Sequence, residues 1–183
     1  SKEKDTISIT LNGAKVLPAT VLSEIKGKDI SLNLDMENGF IWKINGTSIT
    51  AETPADTDLS VTNTAEYIPA ALYSLISTNQ NDFGFHLGKS GAFDFPAVLS
   101  VKADGSCAGL MANLFWYDAE NGVLQCIQTV TVGGAFERSI PYADFTLSKG
   151  QDYFIAFGTE SLNGRVIHTD GSITDENGAY LRP

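Results

Sequence analysis

The chain has 183 residues, with 22 Asp and Glu against 12 Lys and Arg, so its formal net charge is −10. That charge repels phosphate backbones and argues against nucleic acid as a partner. No apolar run approaches the roughly 20 residues that cross a bilayer, so we expect no membrane insertion. Hydrophobic residues at 43% and charged residues at 19% are too balanced for a disordered chain. The length suits one domain with a sizeable core.

Alternating apolar and polar residues predict β-strands along most of the chain. Between these runs stand turn dipeptides, among them Asn121-Gly122 and Asp170-Gly171, each of which predicts a hairpin. Short strands at this spacing favour an all-β sandwich or barrel over a parallel α/β sheet. We therefore predict a mainly β, β-sandwich-like domain of immunoglobulin-like size. The clearest alternating runs are Ile30, Leu32 and Leu34, then Phe40, Trp42 and Ile44.

Two short segments predict helices instead. Residues 18–25 and 69–76 each begin with proline and then place apolar residues at helical spacing. Proline is compatible with a first helical turn because its missing N–H donor is not needed there. Each helix would have only about two turns, so tertiary packing must stabilise it.

The two helical segments also match each other at a spacing of 51 residues, and the strands after them match at a spacing of 53. This pattern predicts an internal duplication, with repeats of helix, strand, turn and strand at residues 15–52 and 66–105. Chance alignment of short apolar patterns is the alternative. No linker separates the repeats, so we predict a single domain over residues 1–183, with residues 159–183 forming a C-terminal hairpin extension.

Several segments resemble a module that recurs in large exported proteins of gut clostridia and ruminococci. They are VLSEIKGKDI at 21–30, DMENGFIWKING at 35–46, DTDLSV at 56–61, IP at 68–69, GAFDFPAVLSV at 91–101, AGLMANLFWY at 108–117 and DYFIA at 152–156. The resemblance covers roughly residues 15–158, with the segments in the family's order. Two places depart from the pattern: SKGQ precedes Asp152 where the family has His-Ala-Ser, and LFWY at 114–117 replaces Leu-Tyr-Tyr-Tyr.

The resemblance implies a secreted or cell-surface setting, beside adhesive repeats, dockerins or glycan-active domains of the same protein. It supplies no catalytic motif. The amino terminus of this chain carries no signal-peptide hydrophobic region, so we expect any export signal to lie outside it.

The residues do not predict an enzyme. His86 and His168 are the only histidines, and neither adjoins a nucleophile signature, so each is interpreted as an exposed or capping imidazole. Cys107 and Cys126 lack metal-ligand spacing and are expected to be unpaired, buried thiols. No cofactor is expected, although the acidic turns at residues 170–177 offer oxygen ligands of the kind that Ca²⁺ prefers.

The aromatic strand at residues 113–117 is the candidate ligand site. One face of this strand carries Leu114 and Trp116, and the other carries Asn113, Phe115 and Tyr117, so both faces are bulky. Either another part of the chain covers the second face or a ligand does. Aromatic rings stack on the apolar faces of sugars while amides bind hydroxyls, so we predict ligand-binding roles for Trp116, Tyr117, Phe115 and Asn113.

These observations favour a non-catalytic carbohydrate-binding module of an exported bacterial cell-surface protein, with a starch-like α-glucan as the first ligand to test. The expected partners are a polysaccharide or oligosaccharide and other modules of the same protein. The alternative from another class is a structural spacer or adhesion module with no small ligand. A small glycan hydrolase that uses two carboxylates is a third hypothesis.

Overall fold

The computed structural model describes residues 5–10, 15–133 and 140–182. Within them the chain is mainly β with two short α-helices, which confirms the mainly β, sandwich-like fold class predicted from the sequence. The helices are α1 (Ala19–Ile25) and α2 (Ala70–Tyr73), and 3₁₀ turns form at Gly46–Ser48 and Gly105–Cys107. The strands are β1 (Asp5–Thr10), β2 (Val16–Leu17), β3 (Ile30–Asp35), β4 (Phe40–Asn45), β5 (Thr57–Asp58), β6 (Val61–Thr62), β7 (Phe83–Lys102), β8 (Met111–Asp118), β9 (Val123–Thr131), β10 (Tyr142–Gly158), β11 (Val166–Ile167), β12 (Ile173–Thr174) and β13 (Tyr180–Arg182).

The chain divides into two compact units. Unit 1 takes the residues up to 62 together with 87–102 and 144–151, and unit 2 takes 63–86, 103–143 and the residues from 152 onward. The long strands β7 and β10 each contribute residues to both units. The first predicted repeat, residues 15–52, lies within unit 1, whereas the second, residues 66–105, is divided between the units.

The second predicted repeat differs from its expected order of elements. The strand, turn and strand predicted there are one continuous 20-residue strand, β7. Within this strand, the carbonyls of Leu87 and Lys89 accept hydrogen bonds from the side-chain amide of Gln151 on β10. The predicted helix at 69–76 is also shorter: after Tyr73 the bonds tighten to the three-residue spacing, with Leu75 N–H donating to Leu72 O and Ile76 N–H to Tyr73 O.

Unit 1 is built on strands hydrogen-bonded in the order β1, β3, β4 and β7. The β1–β3 pair is parallel, whereas β3–β4 and β4–β7 are antiparallel. Alternation along β4 buries Phe40, Trp42 and Ile44, which confirms their predicted place in the core. The Trp42 indole N–H donates to Leu59 O at 2.9 Å, so its one polar atom is satisfied in the interior.

Unit 2 is built on strands in the order β10, β8, β9, β11, β12 and β13. The β8–β9 hairpin pairs Tyr117 with Leu124 around Asn121-Gly122, as predicted. The β11–β12 hairpin pairs Ile167 with Ile173 around Asp170-Gly171, also as predicted. Each turn requires a residue with positive φ, and Gly122 (66°) and Gly171 (87°) supply it without steric cost. The C-terminal segment thereby continues the unit 2 sheet outward to β13.

The core of unit 2 lies on one face of this sheet, beneath α2 and its flanking residues. Alternation along β8 and β10 aims Phe115 and Phe154 at this face, since the two residues pair across the strands. Pro69 caps the start of α2 with φ −62°, and the helix buries Leu72 completely. The cluster comprises Ile68, Leu72, Ile76, Phe115, Leu124, Cys126, Phe154, Ala156 and Ile167.

Candidate functional site

Two of the four residues predicted to bind a ligand lie in the interior of unit 2. Phe115 has no exposed surface and packs in the core cluster beneath α2, so it offers no face on which a sugar could stack. Asn113 is 1% exposed, and both ends of its amide are hydrogen-bonded. Its Nδ2 donates to Glu160 O at 3.0 Å, while its Oδ1 accepts from Leu162 N at 2.8 Å and from Thr129 Oγ1 at 2.7 Å. The chain itself therefore covers this part of the second strand face.

The other two predicted residues are half-buried. Tyr117 packs against the core cluster of unit 2, and Trp116 stands opposite Tyr153 in the β8–β10 pair. Because this pair is antiparallel, Tyr117 and Asp152 occupy the next positions of the two strands and point to the same sheet face. The four predicted residues thus do not form one exposed aromatic surface. Tyr117 does, however, lie on the same sheet face as Asp152, which is the centre of a polar cluster with solvent-exposed members.

The centre of that cluster is the carboxylate of Asp152, which is completely buried. Its Oδ2 accepts the backbone N–H groups of Tyr67 and Ile68, the latter at 3.1 Å. Its Oδ1 lies 2.7 Å from Nδ1 of His86. Since a carboxylate oxygen only accepts, this imidazole nitrogen is the donor. Asp152 therefore ties the loop before α2 to a side chain of β7.

Around Asp152 lies a surface that we call the Tyr67 surface, formed by Glu66, Tyr67 and His86. The Tyr67 side chain is one of the most exposed large rings of the described chain, at 57%. Its ring meets the His86 imidazole edge to face, with centroids 5.6 Å apart. Glu66 Oε2 lies 3.6 Å from His86 Nε2, and the Glu66 side chain is half exposed. An exposed ring and a solvent-facing carboxylate are thus held side by side.

The interpretation of His86 from sequence needs correction. It is not an exposed or capping imidazole: it is 9% exposed and bound to Asp152. Its Nε2 faces the Glu66 carboxylate, and within the described part of the chain neither ring nitrogen contacts a hydroxyl or thiol. His168 differs, since its Nε2 lies 2.8 Å from Thr174 Oγ1 in the β11–β12 hairpin. His86 is thus held between the carboxylates of Asp152 and Glu66, against the Tyr67 ring.

Both cysteines are free and buried, in agreement with the sequence prediction. Burial raises the pKa of the Cys126 thiol to about 11, and burial also raises the pKa of the Cys107 thiol. The thiolate is the reactive form, so at neutral pH these thiols are poor nucleophiles.

The acidic turns close on themselves. Asp170 Oδ1 accepts from the N–H and hydroxyl of Ser172, and the hydrogen bond from that hydroxyl is the main cause of its lowered pKa. Asp175 Oδ1 accepts from Asn177 N and Ala179 N. Across the ranges that the structure describes, no three His, Cys, Asp or Glu side chains are grouped as metal ligands. The hydrogen bonds of Asp170 and Asp175 are those of turn-closing carboxylates.

The residues of the Tyr67 surface were not selected from sequence because their partners are distant. Asp152 is 85 residues from Tyr67 and 66 from His86 along the chain. The local sequence also carried no signal, because Asp152 follows the polar run SKGQ at 148–151 and so does not stand out as a buried residue.

Comparison with known proteins gave no match to a protein-family model, to a curated protein sequence or to a solved structure. Neither helix within the described ranges is long and apolar enough to cross a membrane.

Proposed function

We propose that this chain is a non-catalytic carbohydrate-binding module that holds a polysaccharide on the Tyr67 surface. The observation that carries the proposal is the buried Asp152 carboxylate, which fixes the backbone of Tyr67 and orients His86 beneath its ring. A buried charge is costly unless it is fully hydrogen-bonded, and here its bonds hold an exposed aromatic residue in place. A residue whose backbone is held in advance loses less conformational freedom on binding.

The chemistry of the surface suits a neutral sugar. The apolar face of a pyranose ring stacks on an aromatic ring, and a carboxylate accepts hydrogen bonds from sugar hydroxyls. Tyr67 supplies the ring and Glu66 the carboxylate. The net charge of −10 disfavours acidic polysaccharides at long range. A starch-like α-glucan, the ligand suggested by the family resemblance, is therefore the first to test.

The same resemblance supports the setting of the proposal, a module of an exported cell-surface protein. The segments at 21–30 and 35–46 are among those that carry it. In that setting the module keeps neighbouring domains near their polysaccharide and has no reaction of its own.

Affinity gel electrophoresis in soluble starch, xylan, pectin and mucin tests this proposal. We expect retardation of the wild-type protein in starch and a weakening of at least about tenfold, or ~1.4 kcal/mol, in Tyr67→Ala. Glu66→Gln should weaken binding as well, since a neutral amide is a poorer acceptor than a carboxylate. Tyr180→Ala is the matched control, because it removes another exposed tyrosine ring, on β13.

Three other outcomes would contradict the proposal in different ways. Unchanged mobility in every glycan would favour the spacer hypothesis. Retardation that survives Tyr67→Ala but is lost in Trp116→Ala or Tyr117→Ala would move the site to the aromatic strand. Release of reducing sugar from any of these glycans would show a hydrolase.

A further inference from the structure

Unit 2 contains a cavity of about 330 Å³, distinct from the Tyr67 surface. It opens between the residues that follow α2, the end of β10 and the loop from 159 to 165. Its apolar lining includes Leu75, Ile76, Phe157, Leu162 and Ile173. Its volume falls within the range of pockets that hold small molecules.

The walls of this cavity are fixed by buried or half-buried polar side chains. Asn113 holds one wall, because its amide binds the backbone of Glu160 and Leu162. Asp82 holds the other, because its carboxylate accepts from Phe157 N at 2.8 Å and from Thr78 N at 3.1 Å. The cavity is therefore preformed and does not need to be opened by a ligand.

Arg165 lines the cavity and is half-buried. Among the residues that the structure describes, its guanidinium makes neither a hydrogen bond nor an ion pair; only its backbone is bonded, to Leu162 and Cys126. This is notable in a chain with 22 carboxylates and 12 basic residues. A guanidinium presents a planar fork of donors that matches a carboxylate bidentately.

We propose that this cavity binds a small monocarboxylate with an apolar group, its carboxylate paired with Arg165 and its apolar group on Leu75, Ile76 and Ile173. Glu160, exposed in the lining, disfavours ligands with more than one negative charge. This inference does not depend on the proposed glycan binding, since the two sites share no residue.

Titration of the ¹⁵N-labelled chain with 3-phenylpropionate, followed by amide chemical shifts, tests the inference. We expect saturable shifts confined to the segments that line the cavity, residues 75–78, 156–165 and 173. The neutral isostere 3-phenylpropionamide and the short anion acetate should each bind at least about tenfold more weakly, a difference of ~1.4 kcal/mol. Equal binding of the amide, or saturable shifts elsewhere only, would overturn the assignment, as would no saturable shift at all.

Two variants test separately whether Arg165 binds the carboxylate and whether the cavity holds the apolar group of the ligand. Arg165→Gln should reduce the affinity for 3-phenylpropionate at least tenfold, and Arg165→Lys should restore only part of it because an ammonium lacks the planar fork. Lys28→Gln is the matched control for loss of one positive charge, on an exposed residue of unit 1. Thr159→Trp narrows the cavity without altering Arg165 and should also abolish the shifts. Unchanged affinity in Arg165→Gln and Thr159→Trp would refute the site.

Discussion

Asn113 shows how much one interior amide contributes to unit 2. Its three hydrogen bonds join β8 to Thr129 on β9 and to the backbone at Glu160 and Leu162. Asn113→Ala would leave those groups without their partner. We expect a loss of about 2–4 kcal/mol in the free energy of unfolding, measured by urea denaturation.

Asn163→Ala is the control for Asn113, because Asn163 is exposed in the same loop. It should change stability by less than about 0.5 kcal/mol. Similar denaturation midpoints for the two variants would mean that the Asn113 amide is not the anchor of that loop.

At the scale of elements, the contact between α1 and the 3₁₀ turn after β4 leaves no room for a side chain. A Cβ on Gly46 would lie 1.9 Å from the carbonyl oxygen of Ile25 and 2.5 Å from that of Lys28. Both are backbone atoms, so the conflict can be relieved only by moving the end of α1. Gly46→Ala should therefore destabilise the protein by at least about 2 kcal/mol in urea denaturation.

Gly105→Ala is the matched control for Gly46, since Gly105 also lies in a 3₁₀ turn but a Cβ added to it would have no atom within 4 Å. It should be close to neutral, or slightly stabilising through the lower entropy of the unfolded chain. Equal losses in both variants would show that the turn conformation, and not the approach of α1, sets the cost.

Elements held by neighbours in sequence were predictable, and those held by distant partners were not. The β8–β9 and β11–β12 hairpins follow from Asn121-Gly122 and Asp170-Gly171, because the turn and its strands are local. The start of α2 follows from Pro69, but its early end does not. The burial of Phe115 depends on which segment covers β8, and the local sequence does not show this. The hydrogen bond from the Tyr67 backbone to Asp152 likewise forms only because the fold brings distant residues together. An alternating apolar and polar pattern predicts which residues share a face of a strand, but it does not predict which segment packs against that face.

At the scale of the whole molecule, the excess of ten negative charges has a thermodynamic consequence. Like charges repel more strongly in the folded chain than in the expanded unfolded chain, so net charge lowers stability. The Lys43–Asp144 pair, at 3.8 Å with Asp144 half exposed, is of the surface kind that contributes little. Added salt screens the repulsion between the negative charges, because the Debye length falls from about 30 Å at 0.01 M to about 8 Å at 0.15 M. The salt also weakens favourable ion pairs, but a surface pair such as Lys43–Asp144 contributes little that could be lost.

We therefore expect the thermal midpoint at pH 7 to rise when sodium chloride is raised from low to physiological concentration, by an amount equivalent to ~1 kcal/mol. The control is the same titration near pH 4.5, the isoelectric point of the sequence, where net charge and its repulsion vanish. The salt effect should shrink there to a few tenths of a kcal/mol. A rise of equal size at both pH values would assign the effect to salt exclusion from the protein surface instead. A fall at pH 7 would mean that favourable ion pairs, and not repulsion, dominate the electrostatics of the folded chain.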